Sequence, residues 1–204
     1  MKKSSLAKIT KAIQSEIDAF GEVMDVSKFK ELQKQLEIFL IRDALTLSLN
    51  RWKFEEVLKR EITRAKSDGT PLCLLMLDID KFKQINDCRG HIEGDDILKA
   101  IIWGFEFAIE GTIGQSHRLG RWGGDEFLYI FPSKDMTEVK GIAEKHRIHT
   151  EDLYKEGVIS RPVTVSIGVT HLKKSDDVTS FIKRVDRAMY KAKKKGGNKI
   201  GVLK

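Results

Sequence analysis

The stretch LCLLMLDID, residues 72–80, is an almost entirely apolar run of six residues followed by Asp78, Ile79 and Asp80. A short continuous apolar run of this length is typical of a strand that is buried on both faces of a sheet. The residues DGTP at 68–71 predict a turn immediately before it. Asp78 and Asp80 therefore mark the end of a predicted buried strand, where functional groups of sheet proteins are often found.

Helices and strands alternate along the rest of the main domain. Apolar periodicity and turn residues place the further strands at residues 113–121, 126–131, 163–172 and 199–203. The predicted helices occupy residues 50–67, a short segment from about 81, and residues 94–109, 136–154 and 175–195. Asn50 and Ser175 are the predicted N-caps of the first and last helix, and Gly196-Gly197 ends the last one. This order predicts an α+β fold in which helices pack on a mainly antiparallel sheet.

The first forty residues carry a different pattern, with apolar residues three and four positions apart in two stretches. These positions are Leu6, Ile9, Ile13, Ile17 and Phe20, followed by Phe29, Leu32, Leu36 and Phe39. Both stretches predict amphipathic helices, which bury their apolar stripes poorly as an isolated pair. We interpret residues 1–42 as a helical segment for dimerisation or signal input, and residues 43–204 as the main domain. A helical cap on the main domain is the alternative.

The net charge of +7 and the pI of about 9.3 favour anionic partners. Much of the excess is concentrated near the end of the last predicted helix, at Lys191, Lys193, Lys194, Lys195 and Lys199. These lysines fit nucleotide phosphates, and also a solvated helix end that complements the helix dipole. No aromatic residues are interleaved with them, so we expect no nucleic-acid partner.

Membrane insertion and secretion find no support in the sequence. There is no run of 18 apolar residues, and charged residues interrupt the N-terminal stretch where a signal peptide would need an apolar core. The two cysteines, Cys73 and Cys88, have neither metal-ligand spacing nor the pattern of a disulfide framework. We therefore expect no membrane span and a cytoplasmic location.

The segment RWGGDEF, residues 121–127, is the sharpest local feature. Two glycines permit a hairpin turn with positive φ and let a phosphate chain approach the backbone. Two carboxylates follow immediately, and two rigid elements could bring Asp125 to Asp78. Carboxylate oxygens are ligands that Mg²⁺ prefers, with substrate phosphates completing its coordination. Taken singly, the two segments also fit a common hairpin turn and a simple strand end.

Six motifs together resemble those of the GGDEF family of diguanylate cyclases. They are DALTLSLNR at 43–51, DIDKFKQIND at 78–87, GHIEGD at 90–95, GGDEF at 123–127, VSIGV at 165–169 and DRAMYKAK at 186–193. The resemblance covers about residues 43–202. It implies a palm-like, nucleotidyl-cyclase-like α+β domain that condenses two GTP into cyclic di-GMP and releases two pyrophosphates.

The resemblance also implies roles for individual residues. Asp78, the Ile79 carbonyl and Asp125 would hold two Mg²⁺ per active site, with Mn²⁺ as the alternative ion. Asp125 or Glu126 would accept the proton of the attacking 3′-hydroxyl, and Lys83 would support catalysis by neutralising phosphate charge. The substrate-binding residues implied are Phe82, Lys83, Asn86, His91, Asp95, Arg121, Gly123, Gly124 and Lys193. Among these, Asn86 and Asp95 would read the guanine edge.

A family member of this kind carries half an active site, so the resemblance implies a homodimer that brings two GTP molecules face to face. An upstream sensor partner would act through residues 1–42. The sequence departs from the family pattern in three places: Leu47 and Gly197 stand where glycine and arginine are usual, and residues 114–117 lack the R-x-x-D of a product-inhibition site. A catalytically silent domain that binds GTP or cyclic di-GMP is therefore the alternative function.

Overall fold

The computed structural model of the chain describes residues 11, 14, 15, 30–32, 36, 40–113 and 118–204, without the side chains of residues 105–113. By its contacts the chain divides into two compact units, Met1–Leu40 and Ile41–Lys204. The described residues of the first unit are all helical. Most of the predicted apolar stripes of the first forty residues lie outside the described residues, although Leu32 and Leu36 are described and exposed.

A five-stranded sheet forms the centre of the second unit, in the order β2-β3-β1-β4-β5. Its strands are β1 (Leu72–Ile79), β2 (Arg118–Gly123), β3 (Glu126–Pro132), β4 (Val165–His171) and β5 (Ile200–Leu203). The central strand β1 is antiparallel to β3 and β4, and β2 is antiparallel to β3. Among the described strands, β5 pairs in parallel with β4. The prediction of a mainly antiparallel α+β domain is confirmed.

Five helices cover this sheet: α1 (Arg51–Asp68), α2 (Phe82–Arg89), α3 (His91–Ile113), α4 (Met136–Lys155) and α5 (Val178–Lys194). Asn50 caps α1 as predicted, because its side-chain oxygen accepts a hydrogen bond from the Lys53 N–H at 3.0 Å. The prediction of Ser175 as the cap of α5 is wrong. Asp177 caps that helix by accepting from the Ser180 N–H at 2.7 Å while Ser180 Oγ accepts from the Asp177 N–H.

Two predicted boundaries around α3 are also wrong. The helix begins at His91 rather than near residue 94, directly after Gly90, whose φ of +85° ends α2. It continues to Ile113, which was predicted to begin a strand, and the strand starts only at Arg118. Ile113 is β-branched and is followed by glycine and polar residues, so the local sequence does not show whether it ends the helix or begins the strand.

The sheet has a buried core on each face, which explains the continuous apolar sequence of β1. Alternate residues Cys73, Leu75, Leu77 and Ile79 pack in one cluster with residues of α2, α3 and α4. Leu72, Leu74 and Met76 pack in the other, with residues of α1 and α5. Asp78 continues this second series, so the alternation of the strand directs it to the face that α5 covers. In the described part of the chain, no helix is long and apolar enough to cross a membrane.

Candidate active site at the end of the central strand

Asp78 lies near the end of β1, opposite Glu126 in the register with β3. Its side chain is buried, and its Oδ2 forms an ion pair with Lys193 Nζ of α5 at 2.5 Å. Its other oxygen, Oδ1, is buried and accepts no hydrogen bond from any described residue. A buried carboxylate oxygen without a partner costs free energy, so this oxygen is suited to a ligand that supplies positive charge or a proton.

The electrostatics of this end of the sheet are dominated by crowded carboxylates. Burial raises the pKa of Asp78 to about 6, and the charges of Asp125 and Glu126 add to the rise while Lys193 opposes it. Burial also raises the pKa of Glu126, together with the charges of Asp125 and Asp186. Asp78, Asp125 and Glu126 are therefore brought close together, and a cation bound among them would relieve their mutual repulsion.

These carboxylates fit a hard divalent cation in donor chemistry, although they do not form a complete cage. Among the described residues, no group of three or more His, Cys, Asp and Glu side chains is arranged to hold a metal ion by itself. Magnesium usually takes only one or two carboxylates and completes its coordination with water and substrate phosphates. Asp78 Oδ1, which no described residue engages in a hydrogen bond, matches such a partial donor set.

The glycines of the hairpin turn do not adopt the conformation predicted for them. Neither Gly123 nor Gly124 has a positive φ. A Cβ atom at Gly124 would meet nothing within 4 Å, and one at Gly123 would meet only Glu126 Oε2 at 3.4 Å. Neither the backbone nor the packing therefore demands glycine at these two positions, and the absence of side chains leaves open space beside the turn.

Arg121 stabilises this turn by hydrogen bonds to its backbone. Its Nε and Nη2 donate to the Gly124 carbonyl at 2.9 and 2.7 Å, and its Nη1 donates to both carboxylate oxygens of Asp43 at 3.0 and 3.2 Å. Burial alone would raise the pKa of Asp43, but hydrogen bonds from Thr46 and the charge of Arg121 lower it. Nothing in the local sequence indicates this clamp, because Asp43 and Arg121 are 78 residues apart.

Asp80 is a second structural carboxylate that the sequence did not identify as such. It accepts hydrogen bonds of 2.7 Å from Thr164 Oγ1, Ser166 Oγ and the Asn198 N–H. It thereby ties the end of β1 to β4 and to the turn after α5. Gly197 in that turn has a φ of +72°, and a Cβ atom there would lie 2.9 Å from Asp80 Oδ1. The glycine that replaces the usual arginine thus fits closely against Asp80.

The predicted nucleotide-binding residues on α2 and α3 form a second group. Phe82 is buried and Asn86 half-buried on α2, while Asp95 is half-buried on α3; Lys83 and His91 are exposed. Asn86 Oδ1 is buried without a hydrogen-bond partner in the described part of the chain. No hydrogen bond or ion pair between described side chains joins this group to Asp78 or Asp125. Residues 114–117, where the product-inhibition motif is missing, lie outside the described residues.

Comparison with known proteins identifies the family of this domain. The family model for the diguanylate cyclase GGDEF domain matches residues 40–199. Diguanylate cyclase DgcM of Escherichia coli (strain K12) is 33% identical over 178 residues, which are 87% of this chain and 42% of that protein. The chain thus spans less than half the length of this curated relative.

Two solved structures match nearly the whole chain. The coiled coil and GGDEF domain of DgcB from Caulobacter crescentus, in complex with c-di-GMP, is 27% identical with a TM-score of 0.78, covering 94% of this chain and 100% of that one. Diguanylate cyclase SiaD of Pseudomonas aeruginosa, in complex with its activator SiaC, is 28% identical with a TM-score of 0.73, covering 98% of this chain and 78% of that one. With a family match over residues 40–199, this chain belongs to the GGDEF-domain family of diguanylate cyclases.

Proposed function

We propose that this chain is an active diguanylate cyclase, which condenses two GTP molecules into cyclic di-GMP and releases two pyrophosphates. The observation that carries the proposal is the buried Asp78 carboxylate, of which one oxygen has no hydrogen-bond partner among the residues that the structure describes and which lies beside the carboxylates of a GGDEF hairpin. A domain that only bound nucleotide would have no need for such a costly arrangement of charge.

Divalent metal use is general in this family, and the donor chemistry at the end of β1 fits it. In our proposal Asp78, the Ile79 carbonyl and Asp125 hold two Mg²⁺, with Mn²⁺ as the alternative ion. When bound, these ions neutralise the triphosphate, lower the pKa of the 3′-hydroxyl and stabilise the leaving pyrophosphate.

The side chains around this position accept the proton and bind the phosphates. Asp125 or Glu126 accepts the proton of the 3′-hydroxyl. Lys193 and Lys83 neutralise phosphate charge, and Gly123 and Gly124 leave the triphosphate room beside the turn. Arg121 contributes by fixing the Gly124 carbonyl, in addition to any contact with the substrate.

Guanine recognition is assigned to the α2–α3 group. A carboxylate such as Asp95 can accept from the N1–H and N2–H donors of guanine, whereas it would face a lone pair on adenine N1. Asn86 supplies the amide beside it, and Phe82 and His91 line the same region. In a mixture of GTP and ATP, we therefore expect mainly cyclic di-GMP rather than mixed or all-adenine products.

Catalysis in this proposal needs two chains, because each contributes one GTP and one set of metal ligands. Residues 1–42 would raise the effective concentration of one half-site for the other, or receive a sensor partner. The solved DgcB structure comprises a coiled coil and a GGDEF domain, and the SiaD relative is in complex with its activator. Turnover per chain should consequently rise with protein concentration in the dilute range.

The test is to incubate the protein with GTP and Mg²⁺ and to identify the product by mass. We expect cyclic di-GMP from the wild type and none from Asp125→Ala, whose side chain is half-buried in a hairpin turn, so that its removal should cost little stability. Circular dichroism on the variant controls for folding. Binding of GTP by the wild type without any product would instead support the catalytically silent alternative. The replacement of the usual arginine by Gly197 is the sequence feature that favours this alternative.

A further inference from the structure

Gly94 lies in the first turn of α3, where the absence of a side chain makes room for Asn86 of α2. A Cβ atom built on Gly94 would lie 1.9 Å from Asn86 Oδ1, 3.1 Å from Asn86 Cγ and 3.2 Å from Phe82 Cζ. Gly94 is buried, and its φ is not positive. Its helical backbone would accept any L-residue, so the need for glycine arises from the neighbouring amide.

The Asn86 amide is packed in place rather than held by hydrogen bonds. Its Oδ1 is buried and has no hydrogen-bond partner among the described residues. Buried polar atoms are nearly always paired in folded proteins, so an exception of this kind needs a separate explanation. A ligand that donates to Asn86 would complete the amide, provided that the side chain keeps this orientation.

We propose that Gly94 is a positioning residue for nucleotide recognition, which keeps the Asn86 amide in the orientation that meets guanine. This inference rests on the proposed function, in which Asn86 reads the guanine edge. Alanine at position 94 would displace the Asn86 amide, because the atom that it would overlap is the end of a flexible side chain and not backbone, whereas the Phe82 ring would need to shift by only a few tenths of an ångström. Alanine also favours helix more than glycine does, so the fold is preserved while the amide moves.

The experiment is a double-mutant cycle on the full chain. Four proteins are compared: the wild type, Gly94→Ala, Asn86→Ala and the double variant. Affinity is measured by calorimetry with a GTP analogue whose α–β bridging oxygen is replaced by methylene, so that no pyrophosphate can leave. We expect each single variant to weaken binding about tenfold or more, and the double variant to bind no more weakly than Asn86→Ala alone.

A matched control is available in another helix. Gly141 of α4 is exposed, and a Cβ atom there would meet nothing within 4 Å. Gly141→Ala should therefore bind the analogue as the wild type does. Both glycine variants should have a melting temperature equal to the wild type or raised by about 2–4 °C, because each gains helix propensity.

Three results would overturn the positioning role. They are wild-type affinity in Gly94→Ala, a further loss when Gly94→Ala is added to Asn86→Ala, or a lowered melting temperature of Gly94→Ala with binding lost in proportion. The cycle measures binding and not turnover. A wild type that binds the analogue but makes no cyclic di-GMP would refute the cyclase activity and leave the positioning role to be decided by the cycle.

Discussion

Helix α5 forms one ion pair with Asp176, in the loop that precedes it, and another with Asp78 of the sheet. The two pairs differ in how fully their carboxylates are hydrogen-bonded. Arg184 pairs with Asp176 at 2.5 Å and Lys193 pairs with Asp78 at 2.5 Å, and both carboxylates are buried. Arg184 donates to both oxygens of Asp176, and the Lys173 N–H donates to one of them. Asp78, by contrast, has one oxygen that accepts no hydrogen bond within the described part of the chain.

The pKa directions reflect this difference. Burial tends to raise the pKa of Asp176, but the hydrogen bonds from Arg184 and Lys173 outweigh it and lower the pKa. Burial raises the pKa of Asp78 to about 6, since a single lysine cannot offset desolvation and two neighbouring carboxylates. The first pair stabilises the domain, whereas the second is under-satisfied and suits a ligand. An ion pair seen in a structure is therefore not by itself a sign of stability.

Removing the arginine of the first pair should have the largest effect on stability. Arg184→Met leaves Asp176 buried without its main partner, so we expect the free energy of unfolding to fall by about 3 kcal/mol. For a chain of this size the melting temperature should fall by about 6–12 °C. Thermal and urea unfolding measure the effect.

The control for this variant is Lys191→Met, which removes an exposed charge from the same helix. It should change the free energy of unfolding by no more than about 0.5 kcal/mol. Equal stability of Arg184→Met and Lys191→Met would remove the contrast between the two pairs.

The corresponding change in the second pair should affect binding more than folding. Lys193 is 37% exposed, so solvent screens its charge and Lys193→Met should cost at most about 1 kcal/mol of stability. Loss of a charged partner for the triphosphate should weaken GTP binding about tenfold. Calorimetry and urea unfolding on the same preparation give both values. A large loss of stability with unchanged GTP affinity would reverse the assignment.

Asp80, a structural carboxylate two residues after Asp78, can be tested by a substitution at Gly197, which packs against it. Gly197→Ala would place a Cβ atom 2.9 Å from Asp80 Oδ1 on a backbone with φ of +72°. The left-handed backbone alone costs an alanine about 1–2 kcal/mol, so we expect a loss of at least about 1 kcal/mol. Gly141→Ala, which meets nothing, serves as the reference in urea unfolding. Equal stability of the two variants would show that the turn tolerates a side chain.

The pH dependence of stability provides a further test of the Asp176 ion pair, with a smaller expected effect. The pKa of Asp176 in the folded protein lies below its ordinary value of 3.8, so its carboxylate contributes stability that is fully present above about pH 4. That contribution is lost as the pH falls through the lowered value. The stability difference between the wild type and Asp176→Asn should be constant at pH 6–7 and should shrink below pH 4. A difference that grows on acidification would contradict the lowered pKa.

Much of the fold could be predicted because its signals are local. The apolar run of β1 and the Asn50 cap each depend on a few neighbouring residues, and both are confirmed. The proximity of Asp78 to Asp125 was also accessible, because a hairpin paired with a central strand places its turn near that strand's end.

The remaining features depend on contacts between distant segments. Asp80 takes its partners from β4 and from the turn after α5, and Arg121 takes Asp43 from before α1. Nothing in the neighbouring sequence of either residue specifies those partners. The conformation of Gly123 and Gly124 was predicted wrongly for a related reason: glycine permits a positive φ but does not impose it.

The most direct test of the proposed division between a stabilising and a functional carboxylate is Asp78→Asn, measured for both folding and turnover. Asparagine removes a buried, incompletely paired charge, so we expect a free energy of unfolding equal to or above that of the wild type. Cyclic di-GMP formation from GTP and Mg²⁺ should nevertheless fall about a hundredfold or more. Wild-type turnover in Asp78→Asn, or a loss of stability as large as that of Arg184→Met, would contradict the assignment of Asp78 to function.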